Sequence, residues 1–259
     1  ADLREGGEYP ARDAVLLLAA ALDKPASYPH LHPEDMLSPE ALESFRELIR
    51  RRKTGEPVAY LRGYQEFMGF RFSVDRRVLI PRPATEILVE AAAAELRNQV
   101  RSASHSAGLL YPLTRLSGEY HIADICCGSG AIGLSLAKML PASRVVLTDC
   151  SRDALDVART NAVSLGVGDR VSFMAGDLAE PLVMAGMAGQ FDLIASNPPY
   201  IARNELEVLQ RDVRCFEPRG ALDGGQDGLE FVGRLAVETP SLLCRSGSIF
   251  VEIGSDQGP

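Results

Sequence analysis

The chain has 259 residues, 46% of them hydrophobic and 24% charged, with a net charge of −8. That length can bury a sizeable core and suits two domains better than one; no apolar run approaches the roughly 20 residues of a membrane span, and Ala1 to Pro10 lacks the basic-then-apolar pattern of a signal peptide, so the cytoplasm is the expected compartment and no membrane partner is expected. The acidic balance argues against nonspecific coating of nucleic acid, which draws on Lys and Arg over phosphates, and five cysteines without a CxxC pair suggest neither a disulfide framework nor a metal site.

From Ala11 to about Lys53 the pattern is helical, with Ala41, Leu42, Phe45, Leu48 and Ile49 on one face behind the start signal Ser38-Pro39-Glu40. The run Arg50-Arg51-Arg52-Lys53 reads as a solvated helix end, where cations complement the macrodipole. Phe67 to Val74 predicts two short strands around a Gly turn, and Ile80-Pro81-Arg82-Pro83 an extended stop, because proline blocks both helix and central strand. A helix is expected at about Glu86 to Leu96. Asn98 to Tyr120 then loses periodicity and gains Ser, Ala and Gly, which predicts a long mobile loop.

Strands at His121–Ile125, Arg144–Thr148, Val171–Met174, Phe191–Ala195 and Ser248–Ile253 alternate with helices from Ala131, from Arg152 and before Ser248. Such alternation predicts an α/β domain, a parallel sheet with helices on both faces. The expected division is a helical domain over 1–64, a β-hairpin and Pro-rich connector over 65–84, and the α/β domain over 85–259.

The first strand of that domain ends in Asp124-Ile125-Cys126-Cys127-Gly128-Ser129-Gly130, directly before a helix. Glycines there let the backbone turn sharply and approach a ligand at the carboxyl edge of the sheet. By itself this element leaves the cofactor open. Gly128-x-Gly130-x-x-Gly133 matches the dinucleotide fingerprint, and Asp149, about 20 residues on, suits an acid that holds a ribose; both NAD and S-adenosylmethionine carry one.

The fourth strand decides, because it runs into Asn197-Pro198-Pro199-Tyr200. Two prolines fix the backbone and remove its donors, so the Asn197 side-chain oxygen and the Pro198 carbonyl can each accept a hydrogen of one NH2 group, with Tyr200 offering a flat face. An amide nitrogen is a poor nucleophile until hydrogen bonds at its NH2 return density to it, and fixed carbonyl dipoles stabilise the charge that develops there. A dehydrogenase has no evident use for this tetrapeptide. The expected activity is methyl transfer from S-adenosylmethionine to a planar amide or amine nitrogen, with no metal and no covalent nucleophile.

The chain resembles the HemK-type glutamine N5-methyltransferases that modify peptide chain release factors. The likeness runs through Gly55-Glu56-Pro57-Val58-Ala59-Tyr60, Gly63, Phe67, Leu79-Ile80-Pro81-Arg82-Pro83, Thr85-Glu86, the Gly128 loop, Asn197 to Tyr200, Phe216-Glu217-Pro218, Ala221-Leu222, Gly224-Gly225, Asp227-Gly228-Leu229 and Glu252-Ile253-Gly254. It implies a Rossmann-like class I S-adenosylmethionine-dependent methyltransferase fold with a small N-terminal helical domain that docks the substrate. It implies cofactor contacts from Asp124, Cys126, Cys127, Gly128, Ser129 and Gly130, ribose binding by Asp149, adenine flanked by Asp177 and Leu178, and Asn197 touching both cofactor and glutamine. Pro198, Pro199 and Tyr200 complete the glutamine pocket, with Asn197, Pro198 and Tyr200 as the catalytic set. The implied substrate is the glutamine of a Gly-Gly-Gln loop in a release factor, met by a monomer without direct DNA binding.

Three departures stand out. Ala84 occupies a position where the family usually has an acid, Cys126-Cys127 replaces Gly-Thr or similar, and the family continues into two more strands where this chain stops at Pro259. Gly224-Gly225-Gln226 repeats the substrate tripeptide but reads as a structural loop, and His30, His32, His105 and His121 read as structural or solvated. Two alternatives use the same tetrapeptide: methylation of the adenine N6 amine in DNA, which needs a basic surface, and methylation of a glutamine on a ribosomal protein. A binding protein that kept the fold and lost catalysis is the reading from another class, and the intact Asn197 argues against it.

Overall fold

The computed structural model describes residues 10–105 and 119–258. Helix α1 (Pro10–Ala21) and the single turn α2 (Tyr28–Leu31) precede α3 (Pro39–Lys53), which starts as the sequence predicts: the Ser38 hydroxyl accepts from the Ala41 amide at 3.1 Å, Pro39 opens the helix and Glu40 sits in its first turn. The apolar stripe of α3 is half-buried, and charge adds to its hold on α1. Arg52, only 7% exposed, reaches Asp13 of α1 at 2.8 Å, and Arg51 makes paired bonds of 2.8 Å to Glu56. The basic run is therefore not simply a solvated helix end: two of its arginines are structural ties, because a buried carboxylate needs a partner.

Helix α4 (Val58–Arg62) ends at left-handed Gly63, and the hairpin β1 (Tyr64–Phe67) and β2 (Phe70–Ser73) follows. Its turn, Met68-Gly69, takes φ of 53° and 74°, a two-residue turn whose twist matches that of the strands. Phe67 and Phe72 are fully buried, edge to face. The connector is sewn to the main body: Tyr60 donates its hydroxyl to the Val78 carbonyl at 2.6 Å, and α4, Val74, Val78 and Ile80 share a core cluster with Ala154 and Val157.

Helix α5 (Pro83–His105) begins at the last proline of the extended stop and passes well beyond Leu96. The long loop expected over 98–120 is thus helical as far as His105, and Tyr120 already belongs to a strand; 106–118 lie outside the described residues. Val89, Ala92, Ala93 and Leu96 are fully buried and form the apolar face of the helix.

The sheet comprises β3 (Tyr120–Ile125), β4 (Ser143–Asp149), β5 (Val171–Ala175), β6 (Phe191–Ser196) and β7 (Leu243–Val251), all parallel, in the order β5-β4-β3-β6-β7. Helices α6 (Ala131–Met139) and α7 (Arg152–Ser164) join α5 over one face, while α8 (Glu180–Met184) and α10 (Glu230–Glu238) cover the other; α9 (Arg211–Phe216) packs Phe216 on the connector cluster. Strand β7 starts earlier than expected, with a break in register after Phe191. This is the Rossmann-like class I fold. Among the described residues no helix is long and apolar enough to cross a membrane.

The topology sets the site. From β3 the chain steps outward to β4 and β5, then returns to lay β6 on the opposite side of β3, so the loops after β3 and β6 part and leave a crevice at their carboxyl ends.

Ala84, the departure in the connector, is exposed in the first turn of α5. Ala84→Glu places an acid where the helix dipole favours one, and is expected to raise unfolding free energy by about 0.3 to 1 kcal/mol in denaturant titrations. Cofactor affinity should not change. Complete loss of cofactor binding would show that this turn supports the cavity.

Candidate active site

The crevice is a cavity lined by the Cys126 to Ser129 loop, Asp149 to Ser151, Asp177 and Leu178, Asn197 and Pro199, with Thr85 and Pro81 of the connector side and Phe231 of α10. Four loops meet there, those after β3, β4, β5 and β6, because these strands lie side by side in the order β5-β4-β3-β6. Gly128 is left-handed (φ 53°) and nothing lies within 4 Å of where its Cβ would be, so the loop is open towards the cavity. Cys126 also takes a left-handed φ of 60°, a conformation that costs a non-glycine residue about 1 kcal/mol and explains why glycine suits this position. Burial pushes the Cys126 and Cys127 thiols well up, which favours their protonated form.

The loop is held from below by two side chains. Asp149 accepts from the Gly128 amide at 2.8 Å and from the Ser151 amide at 2.9 Å, one bond to each carboxylate oxygen. The Cys150 thiol is a third partner of the same carboxylate. Burial raises the Asp149 pKa above the ordinary aspartate value despite those bonds. Asn161 of α7, fully buried, donates to the carbonyls of Ser129 (2.9 Å) and Ser73 (3.1 Å) and accepts from the Ser73 amide (2.7 Å), tying hairpin and loop together.

Asp124 and Gly130 stand behind the loop and not in the cavity. Asp124 is fully buried; it accepts from the Gly133 amide at 2.7 Å, its other oxygen has no partner, and burial pushes its pKa up to about 7. Its period-2 position on β3 aims it under α6, where it supports the helix start. Gly130 is left-handed and a Cβ there would meet Leu134 at 2.8 Å, so its part is the tight turn.

The Asn197 to Tyr200 tetrapeptide forms a wall with two sides. Asn197 and Pro199 line the inner cavity, whereas Tyr200 lines an outer groove with Ala84, Ile87 and Glu252; Pro198 is buried between them and lines neither. The Asn197 amide nitrogen donates to the Thr85 hydroxyl at 3.3 Å, which turns its side-chain oxygen away from that contact. Tyr200 donates to Glu252 at 3.1 Å, and burial, then Glu252, push the phenol up to about 12, so it remains a neutral hydroxyl. Gln257 fastens the Tyr200 carbonyl at 2.9 Å.

The Gly224-Gly225 loop braces this wall. A Cβ on Gly224 would lie 2.7 Å from the Tyr200 Cα, so glycine is required by backbone contact, in keeping with the structural reading of Gly224-Gly225-Gln226. Glu217, buried, accepts from the Ile80 amide at 3.1 Å and from Arg82, clasping the connector over the cavity; burial raises its pKa, and Arg82 opposes that. Thr85, Glu217 and Asn161 have no local sequence pattern that marks them as supports. Only the resemblance drew attention to the first two.

Residues 1–63 match the PrmC N-terminal domain family and residues 104–222 the methyltransferase small domain family. The chain is similar to the release factor glutamine methyltransferase of Chlorobaculum tepidum, 39% identical over 96% of this chain and 80% of that protein. It is likewise similar to that of Moorella thermoacetica, 43% identical over 98% of this chain and 81% of the relative. Among solved structures the hMettl16 catalytic domain overlaps with a TM-score of 0.46 and 16% identity, covering 78% of this chain and 63% of that one, an overlap too loose to bear on substrate.

Proposed function

The chain belongs to the release factor glutamine methyltransferase family, and from that premise we propose that it transfers a methyl group from S-adenosyl-L-methionine to the side-chain amide N5 of a glutamine in the Gly-Gly-Gln loop of a peptide chain release factor. The observation that carries this reading is Asn197: its amide nitrogen is engaged by Thr85, which leaves its oxygen to accept from a substrate NH2.

The residues present suit the cofactor. Gly128 leaves room for close backbone approach, the Asp149 carboxylate at the cavity suits the hydroxyls of a ribose, and Asp177 with Leu178 stands where an adenine would end. S-adenosylmethionine, when bound, supplies an electrophilic methyl group on a sulfonium centre. The protein's work is to bring a weak nucleophile to it. Asn197, which lines the cavity, accepts one amide hydrogen, which orients the nitrogen and stabilises the positive charge that grows on it until the excess proton leaves to water. Tyr200, kept neutral, lines the outer groove, which is the approach of the glutamine to this wall.

In this reading residues 1–64 dock the release factor, 65–84 couple docking to the site and 85–259 carry the chemistry. The protein works as a cytoplasmic monomer and does not bind DNA directly. Incubation with labelled S-adenosylmethionine and a purified release factor, followed by mass spectrometry, should put one label on the glutamine of the loop. Label on DNA or on a ribosomal protein, with none on the release factor, would replace the substrate assignment.

A further inference from the structure

Helix α10 drew no functional expectation, yet it closes the end of the cavity where Asp177 stands. Phe231 lines that end and packs its other side on the core cluster of Leu178, Leu182 and Leu235. One turn on, Arg234 meets both oxygens of Asp177, at 3.2 and 2.8 Å, and also reaches Glu238 at 3.0 Å. The backbone beside Asp177 is held too: Leu178 takes a left-handed φ of 45° and its carbonyl accepts from the Thr148 hydroxyl at 3.2 Å.

An ion pair whose members are 36% and 54% exposed contributes little to stability. Its geometry does more. A two-pronged guanidinium contact fixes the plane of a carboxylate, whereas a free aspartate rotates, and each oxygen keeps a lone pair that the arginine does not use. Glu238 anchors the same guanidinium, so the fork does not depend on Asp177 alone.

We propose that Arg234 is a positioning residue for the base of the cofactor: it holds Asp177 at the cavity rim as an acceptor for an exocyclic amine, while Phe231 supplies a flat apolar wall for the ring. The device selects an amino purine over a keto purine, because a keto oxygen facing a fixed carboxylate finds no donor and is repelled. This inference rests on S-adenosylmethionine being the cofactor.

The test is calorimetric binding of S-adenosylhomocysteine and S-inosylhomocysteine, which differ at that amine, to the wild-type chain and to Arg234→Ala, Arg234→Lys, Asp177→Asn and Phe231→Ala. The wild type should prefer the adenosyl compound by about tenfold or more, as a charge-assisted hydrogen bond implies. Arg234→Ala should lose most of that preference with little change in Tm, Arg234→Lys should keep part of it, and Asp177→Asn, able to donate, should abolish or reverse it. Phe231→Ala should weaken both compounds alike. Preference unchanged in Arg234→Ala would overturn the role given to Arg234, while a wild type that binds neither compound would instead overturn the cofactor reading beneath it.

Discussion

Asn197→Ala should lose most turnover, on the order of 10²- to 10³-fold, as when one fixed donor or acceptor is removed from a site that stabilises developing charge. S-adenosylmethionine affinity should fall far less, and the fold should survive, since Asn197 is only half-buried and its one side-chain bond is to Thr85. Asn197→Asp is the sharper variant. A carboxylate can still accept the substrate hydrogen, but it cannot donate to Thr85; the threonine hydroxyl has to reverse and donate instead. Asp should therefore retain more activity than Ala and much less than Asn, with the loss mainly in kcat if the contact tightens in the transition state. Single-turnover methylation of a release-factor glutamine, with cofactor binding measured separately, checks this. Wild-type rates in Asn197→Ala with the cofactor bound would reduce the tetrapeptide to a turn.

Asp149→Ala should weaken S-adenosylmethionine binding by two charge-assisted hydrogen bonds, each about 1.5 to 3 kcal/mol, or about 10- to 100-fold per bond. The loss has a further source. Asp149 also holds the Gly128 and Ser151 amides, so its removal frees the loop that approaches the cofactor. A pH dependence follows from the raised pKa. The ionised form accepts the ribose hydroxyls, protonation competes with binding, and burial moves that protonation to higher pH than in an ordinary aspartate. Affinity should therefore fall as the solution is made acid, earlier than a solvated aspartate would give, and Asp149→Asn should flatten that dependence. NAD should not bind measurably; calorimetry showing tight NAD binding and none of S-adenosylmethionine would overturn the cofactor assignment.

Sequence alone determined what depends on local pattern. The cap of α3, the Gly turn of the hairpin, the five strands of the sheet and the two cofactor-edge loops are each written in a few consecutive residues: a Ser-Pro-Glu start, a glycine between aromatics, alternating apolar runs, Asn-Pro-Pro after a strand. Local signals failed where a structure continues without its signal. Helix α5 runs past Leu96 without a sequence pattern that announces it, and the basic run of α3 turns inward because Asp13 waits 39 residues away. Tertiary structure decided which side of each loop faces the cavity. Pleat parity on β3 put Asp124 under α6 and out of the cavity, and the path of the chain after β6 put Asn197 and Tyr200 on opposite sides of one wall. It also chose the supports: Thr85 to Asn197 spans 112 residues, Ser73 to Asn161 spans 88 and Asp177 to Arg234 spans 57. No window of sequence contains both members of such a pair, and only the strand order β5-β4-β3-β6-β7, with the helices that cover it, brings them within hydrogen-bond reach.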